Sequence, residues 1–155
     1  MPEVRTIAVI GAGALGRGIA CAAALAGYRT ILEDILPASL RKAENEFRAT
    51  LDQALDVGRV RKTEAEAALA RLEYASSVEQ AAREADLVIE AVPEELESKS
   101  EIFTLLDKVC RPRTMIASNT AVFSIAEIAA VTYRPGRCLV MRFSHPVHEM
   151  KILEI

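Results

Sequence analysis

Gly11, Gly13 and Gly16, with Asp34 further on, are the residues of this chain whose types and spacing point most directly to chemistry. They form a GxGxxG run that follows an apolar stretch and opens a helical one, a pattern that leaves three places without a side chain. Gly11 permits a tight turn, Gly13 lets main chain approach a pyrophosphate, and Gly16 lets helix and strand pack closely. The helix that starts there adds unpaired N–H donors and the positive end of its dipole. Asp34, at the end of the second strand, is placed to accept hydrogen bonds from both hydroxyls of an adenosine ribose. Its charge repels a 2′-phosphate and no Arg follows immediately, so NAD is expected and NADP is not. Glu33 competes for the ribose role, because strand alternation lets only one of the two acids point there; the other expectation for Glu33 is a solvent-facing edge.

The remaining reactive types are few. His145 and His148 are the only histidines and lie close together near the C-terminal end. Cys21, Cys110 and Cys138 are odd in number and contain no CxxC pair, so neither a disulfide framework nor a zinc ribbon is indicated, and a reducing, cytoplasmic setting fits. No metal site is expected. Ser39, Ser76 and Ser77 read as caps and turn residues, since no nucleophile elbow surrounds them.

The elements that must position these groups alternate. Thr6 to Ile10 is a β-branched strand, the Ala-rich segment that follows is a helix closed by Gly27, and Arg29 to Leu32 is the next strand. Ala38 to Val57 has helical spacing, Gly58 interrupts it, and a capping box of Thr63 and Glu66 opens a second helix running through Leu72. This is a helical hairpin inserted after the second strand. A short helix near Val78 to Arg83 leads to the strand Asp86 to Val92, halted by Pro93. A helix over Leu96 to Val109, a strand over Thr114 to Ser118 and a short helix over Ser124 to Ala130 follow. Cys138 to Phe143 and Lys151 to Ile155 complete the expected strands. The alternation predicts an α/β, Rossmann-type doubly wound, mostly parallel sheet forming one NAD-binding domain over residues 1–155.

Composition agrees with one soluble domain. The chain is 155 residues long, 51% hydrophobic and 26% charged, with a net charge of -3, which excludes disordered, collagenous and disulfide-stapled classes. The 22 Asp and Glu against 19 Lys and Arg, without a basic block, leave no footprint for nucleic acid or an anionic membrane. The apolar run from Ile7 to Gly27 carries Arg17 and glycines, so it is read as strand, turn and buried helix and not as a membrane span. The final strand runs to the last residue without a polar tail, from which a further C-terminal portion is expected.

GAGALGRGIA, ADLVIEAVPEELESKSEIF, ASNT with SIAEIA, and FSHPVHEMKILEI together resemble the NAD-binding domain of the L-3-hydroxyacyl-CoA dehydrogenases over essentially the whole chain. The resemblance implies hydride transfer between C3 of a 3-hydroxyacyl-CoA and the nicotinamide of NAD, and a role in fatty acid metabolism. It also implies a separate helical domain, absent from this chain, that would make a homodimer. Its cofactor positions correspond here to Gly11, Gly13, Ala14, Leu15, Gly16, Asp34, Ala91, Val92, Glu94, Lys99 and Asn119. The alternatives for three of these are a helix N-terminal charge for Glu94, a solvated lysine for Lys99 and a turn-forming amide for Asn119. The hairpin helices would form the CoA side, with Thr50 near a hydroxyl contact and Arg59, Arg61 and Lys62 near phosphates or forming a solvated basic loop.

Catalytic positions depart from the family. Where the family writes HFFNP this chain has Arg142-Phe143-Ser144-His145-Pro146, so Arg142 stands at the position of the histidine base and His145 at that of the asparagine. Glu154 matches the orienting glutamate, Asn119 remains, and Ala121 replaces a substrate-contacting serine. Arg stays protonated, so Arg142 cannot be a general base. It either pairs with Glu154 or supplies charge to a developing alkoxide or a carboxylate substrate. His145, three residues on, should face the other way in a regular strand, although Pro146 makes the segment irregular. A hydroxyacyl-CoA oxidoreductase is the leading expectation. A degenerate NAD-binding module and a hydroxy-acid dehydrogenase with a different substrate are the alternatives.

Overall fold

The computed structural model describes residues 3–147, 150 and 152–155. His148 therefore lies outside the described residues.

Six strands form one parallel sheet. They are β1 (Thr6–Ile10), β2 (Arg29–Glu33), β3 (Leu72–Ala75), β4 (Leu87–Glu90), β5 (Met115–Ser118) and β6 (Cys138–Val140), in the order β3-β2-β1-β4-β5-β6. The chain moves outward from β1 through β2 to β3, then crosses back to β4 and continues to β6. The reversal between β1 and β4 is the switch point at which sheets of this kind leave a crevice outside the strand ends. Register brings those ends level, since Ile10 pairs with both Glu33 and Glu90, and Glu90 pairs with Ser118.

Both faces are covered, which is why the strands are apolar throughout. Ile7, Val9, Leu32 and Ile89 face helices α1 (Ala14–Leu25), α2 (Pro37–Asp56) and α3 (Lys62–Arg71), with Ile19, Phe47 and Leu51 in the same cluster. Ala8, Ile10, Ile31 and Val88 face α4 (Val78–Ala82), α5 (Leu96–Val109) and α6 (Ile125–Ala129), packed on Phe103, Leu106 and Ile128. Gly27 takes φ +103° just past α1, and the Tyr28 N–H bonds back to the Ala23 carbonyl, the left-handed helix stop anticipated from the sequence.

Three expectations are corrected. The second hairpin helix ends at Arg71, and Leu72–Ala75 is instead the edge strand β3, paired with β2 through Thr30 and Leu72. The predicted capping box at Thr63 and Glu66 lies two residues too late, because α3 starts at Lys62 and Glu64 accepts the Arg61 N–H at 2.8 Å. The predicted strand over Cys138 to Phe143 breaks at Met141. Since β5 ends at Ser118, its backbone offers β6 nothing beyond the Met141 N–H, which bonds to the Ser118 carbonyl. The next two residues form β7 (Arg142–Phe143), antiparallel to β8 (Leu153–Glu154).

Candidate functional site: the carboxyl edge of the sheet

The glycine loop follows β1 directly. Gly11 takes φ +102°, and a Cβ there would lie 2.9 Å from the Ala91 carbonyl oxygen. A Cβ on Gly16 would overlap the carbonyl of Gly11, so the helix is held against the turn by the missing side chain. Beside Gly13 there is open space, with nothing within 4 Å of a Cβ position. No side chain caps α1 at Gly13, and the first-turn N–H groups, including those of Ala14 and Leu15, have no partner in the helix itself. An uncapped helix start beside bare main chain is the cradle that a pyrophosphate requires.

Asp34 faces this loop. Its Oδ2 accepts the Ala12 N–H at 3.0 Å and its Oδ1 the Leu36 N–H at 2.8 Å. Ile35 and Leu36 beside it are exposed apolar side chains. Glu33 is not the solvent-facing edge residue that was one of its two expectations: it is 6% exposed. Burial, with the nearby charges of Asp34 and Glu79, pushes its pKa up to about 7. The folded state therefore binds this proton more tightly than the unfolded chain, and stability falls as pH rises from about 4.5 to about 7. Glu33→Gln removes that loss. Its stabilisation relative to the wild type should be on the order of 1–3 kcal/mol at pH 8 and near zero at pH 4, checked by paired thermal melts.

On the other side of the switch point the ends of β4 and β5 carry a buried polar network. Glu90 and Lys99 are both fully buried. The Lys99 Nζ donates to Glu90 Oε1 at 2.8 Å and Oε2 at 3.1 Å, to the Val92 carbonyl at 3.3 Å and to the Asn119 carbonyl at 3.5 Å. Glu90 also accepts the Val92 N–H at 2.7 Å and the Ser118 hydroxyl at 2.5 Å. The solvated surface lysine that was one expectation for Lys99 is overturned: it has no exposed surface and its ammonium is engaged by Glu90 and two main-chain carbonyls. Glu94, whose Oε1 lies 3.4 Å from Nζ, is the member of this network that faces out, at 40% exposure. Its other oxygen accepts the hydroxyl of fully buried Thr120 at 2.8 Å.

The hairpin of β7 and β8 stands beside this network. Asn119 Oδ1 accepts the Phe143 N–H at 3.1 Å, and the Arg142 Nε donates to the Thr120 carbonyl at 2.8 Å. Arg142 and Glu154 are cross-strand partners, with Nη1 3.8 Å from Oε2 and both side chains substantially exposed. The Ser144 N–H bonds to the Ile152 carbonyl, so the ladder continues one residue further, and His145 beyond it is exposed. Arg142, and not His145, is thus the residue opposite Glu154. Ala121 is exposed and offers no hydroxyl.

Glu90, Ser118 and Thr120 were not singled out from sequence. Glu90 carried a signal, since an acid within the apolar strand LVIEAV must find a buried partner. Away from the edge, a groove of about 1090 Å³ runs between α1 and the hairpin of α2 and α3, lined by Leu25, Thr50, Leu51, Arg59 and Val60 among others. Arg61 and Lys62 do not line it and are drawn to Glu64 and Glu66 instead. Cys21 and Cys110 are buried thiols whose pKa is pushed up to about 11, which makes them poor nucleophiles. No helix of the described residues is long and apolar enough to cross a membrane.

A doubly wound sheet with a bare glycine loop at its switch point and an acid at the end of β2 defines a dinucleotide-binding domain. Residues 6–155 match the family described as 3-hydroxyacyl-CoA dehydrogenase, NAD binding domain, and the chain belongs to that family, with NAD as its cofactor. It is 39% identical over 153 residues to a Bacillus subtilis protein named "Probable 3-hydroxybutyryl-CoA dehydrogenase", covering 99% of this chain and 53% of that one. It is 38% identical over 155 residues to an Escherichia coli 3-hydroxyadipyl-CoA dehydrogenase, covering 100% of this chain and 32% of that one. The crystal structure of 3-hydroxybutyryl-CoA dehydrogenase from Escherichia coli superposes with a TM-score of 0.95 at 37% identity, over 98% of this chain and 32% of that chain. The chain thus spans between a third and about half of the length of these relatives.

Proposed function

We propose that the domain holds NAD across the carboxyl edge of the sheet and serves hydride transfer between C3 of a hydroxyacyl thioester and the nicotinamide. The open space at Gly13, between two glycines whose Cβ atoms the fold forbids, carries this reading. In it the pyrophosphate meets the first turn of α1 at Gly13, Ala14 and Leu15. Asp34 exchanges its loop hydrogen bonds for the ribose hydroxyls, and Ile35 covers an adenine face. The nicotinamide half lies along Ala91, Val92, Glu94 and Asn119. Bound NAD supplies the hydride acceptor or donor. An acyl-CoA substrate fits the names of the relatives, and the groove beside Thr50 and Arg59 offers it a hydroxyl and a cation. A homodimer and a cytoplasmic location belong to the same reading.

Arg142 in this reading is a fixed charge that steadies the developing alkoxide at C3, oriented by the Thr120 carbonyl and by Glu154. It cannot take the hydroxyl proton, and among the described residues His145 is the imidazole of the same segment that can.

Calorimetric titration with NAD and NADP tests the cofactor site. Asp34→Asn keeps an acceptor for the loop and removes the charge, so NAD affinity should fall about tenfold while the preference for NAD over NADP narrows. An unchanged preference would discard Asp34 as the ribose residue. Acetoacetyl-CoA reduction, followed by the absorbance of NADH, tests the substrate; NAD binding without turnover of any hydroxyacyl or oxoacyl thioester would leave a binding module.

A further inference from the structure

The buried charges at the ends of β4 and β5 exceed what the holding of a dinucleotide requires. Glu90 and Lys99 have no exposed side-chain surface, and a buried ion pair of this kind adds little stability over apolar packing of equal volume. The main chain at Val92 and Asn119 could be tied by neutral donors. What the pair supplies in addition is charge, set directly behind the strand ends that face the nicotinamide half of the crevice. Glu94 adds a second carboxylate on the outer side of the same ammonium. One ammonium against two carboxylates leaves the cluster net negative. Arg142 stands further out, tied to the Thr120 carbonyl and paired with Glu154.

We propose that the charge balance of Glu90, Lys99 and Glu94 sets the relative affinity of the domain for oxidised and reduced NAD. Glu90 is the positioning residue that keeps Lys99 from presenting an uncompensated cation to the nicotinamide ring. The inference rests on the cofactor reading above and deepens it. The two redox forms share adenosine, pyrophosphate and both riboses, and differ in that the oxidised ring is cationic and the reduced ring neutral. A net negative cluster behind the ring therefore favours the oxidised form, and the effect is large where water is excluded. Hydrogen bonds made by the main chain of Val92 and Asn119 are common to both forms and cancel in the ratio of their affinities.

The test is titration of the purified chain with NAD+ and with NADH, read as the ratio of their dissociation constants. Glu90→Gln keeps hydrogen-bonding groups beside Ser118 and Val92 but removes a charge, and should shift the ratio about tenfold toward NADH. Glu94→Gln, on the half-exposed side where folding is least at stake, should shift it in the same direction. Glu90→Gln combined with Lys99→Met restores the original sum of charges, so its ratio should return to within about threefold of the wild type although every hydrogen bond of the pair is gone. Equal weakening of both redox forms in Glu90→Gln and Glu94→Gln would show a mechanical brace and overturn the proposal. A double variant that stays shifted like Glu90→Gln alone would overturn it as well. A wild-type chain that bound neither form would overturn the cofactor reading along with the inference.

Discussion

Gly13→Ala is expected to cut NAD affinity by about 100-fold or more while leaving the melting temperature almost unchanged, and Gly16→Ala to do the reverse damage first, to the fold. The difference comes from what each Cβ would meet. At Gly13 the backbone is extended, with φ -66° and ψ 179°, a conformation open to any residue, and the added methyl enters empty space. The protein has no reason to object. A pyrophosphate lying against that main chain does, because the methyl holds it off the N–H donors of α1 by more than a hydrogen bond tolerates. At Gly16 the methyl collides with the Gly11 carbonyl, and Gly11 cannot retreat because its own left-handed turn lies against the Ala91 carbonyl. Overpacking of rigid backbone costs on the order of 3 kcal/mol or more. Thermal melts with cofactor titrations on both variants check the pair. Gly13→Ala that bound NAD normally would remove the pyrophosphate from this corner altogether.

Why the glycine loop could be read from sequence, and the network behind it only in part, follows from the range over which each is determined. The turn at Gly11 and the contact of Gly16 with its carbonyl arise within six residues of chain, so spacing states them, whereas the Ala91 carbonyl lying against Gly11 comes from the end of another strand. Alternation set Asp34 and Glu33 on opposite sides, but the burial of Glu33 depends on the covered face of the sheet near Glu79, 46 residues along the chain. The strand β3 escaped because its four residues continue the hairpin helix without a stop signal and pair only on one side, at the sheet edge. The break at Met141 is set by where β5 ends, a property of a different strand. Glu90 was legible in principle, as an acid inside an apolar strand. Its partner was not, because Lys99 sits on a helix whose buried face periodicity alone assigns to apolar residues.

On the hydride-transfer reading proposed above, replacing Arg142 by histidine should raise acetoacetyl-CoA reduction by NADH roughly 10- to 100-fold and relocate the proton-transfer step. In the wild type the side chain opposite Glu154 is a guanidinium that stays charged, while the exposed His145 has no carboxylate partner among the described residues. An imidazole without such a partner is free to rotate and to adopt either tautomer, so it meets the C3 oxygen in a productive pose only part of the time. Arg142→His sets an imidazole on β7 in cross-strand register with Glu154, whose carboxylate fixes its tautomer and steadies the cation formed on proton transfer. Dependence on His145 should then move with the base. His145→Ala is expected to lower wild-type turnover by about 100-fold, yet to change the Arg142→His enzyme by less than about threefold. Rate constants for the two single variants and the double variant decide it. A loss on His145→Ala that is equally deep in both backgrounds would mean that His145 acts in some way other than by proton transfer to or from the C3 oxygen, and no gain from Arg142→His would mean that Glu154 does not orient an imidazole at this position.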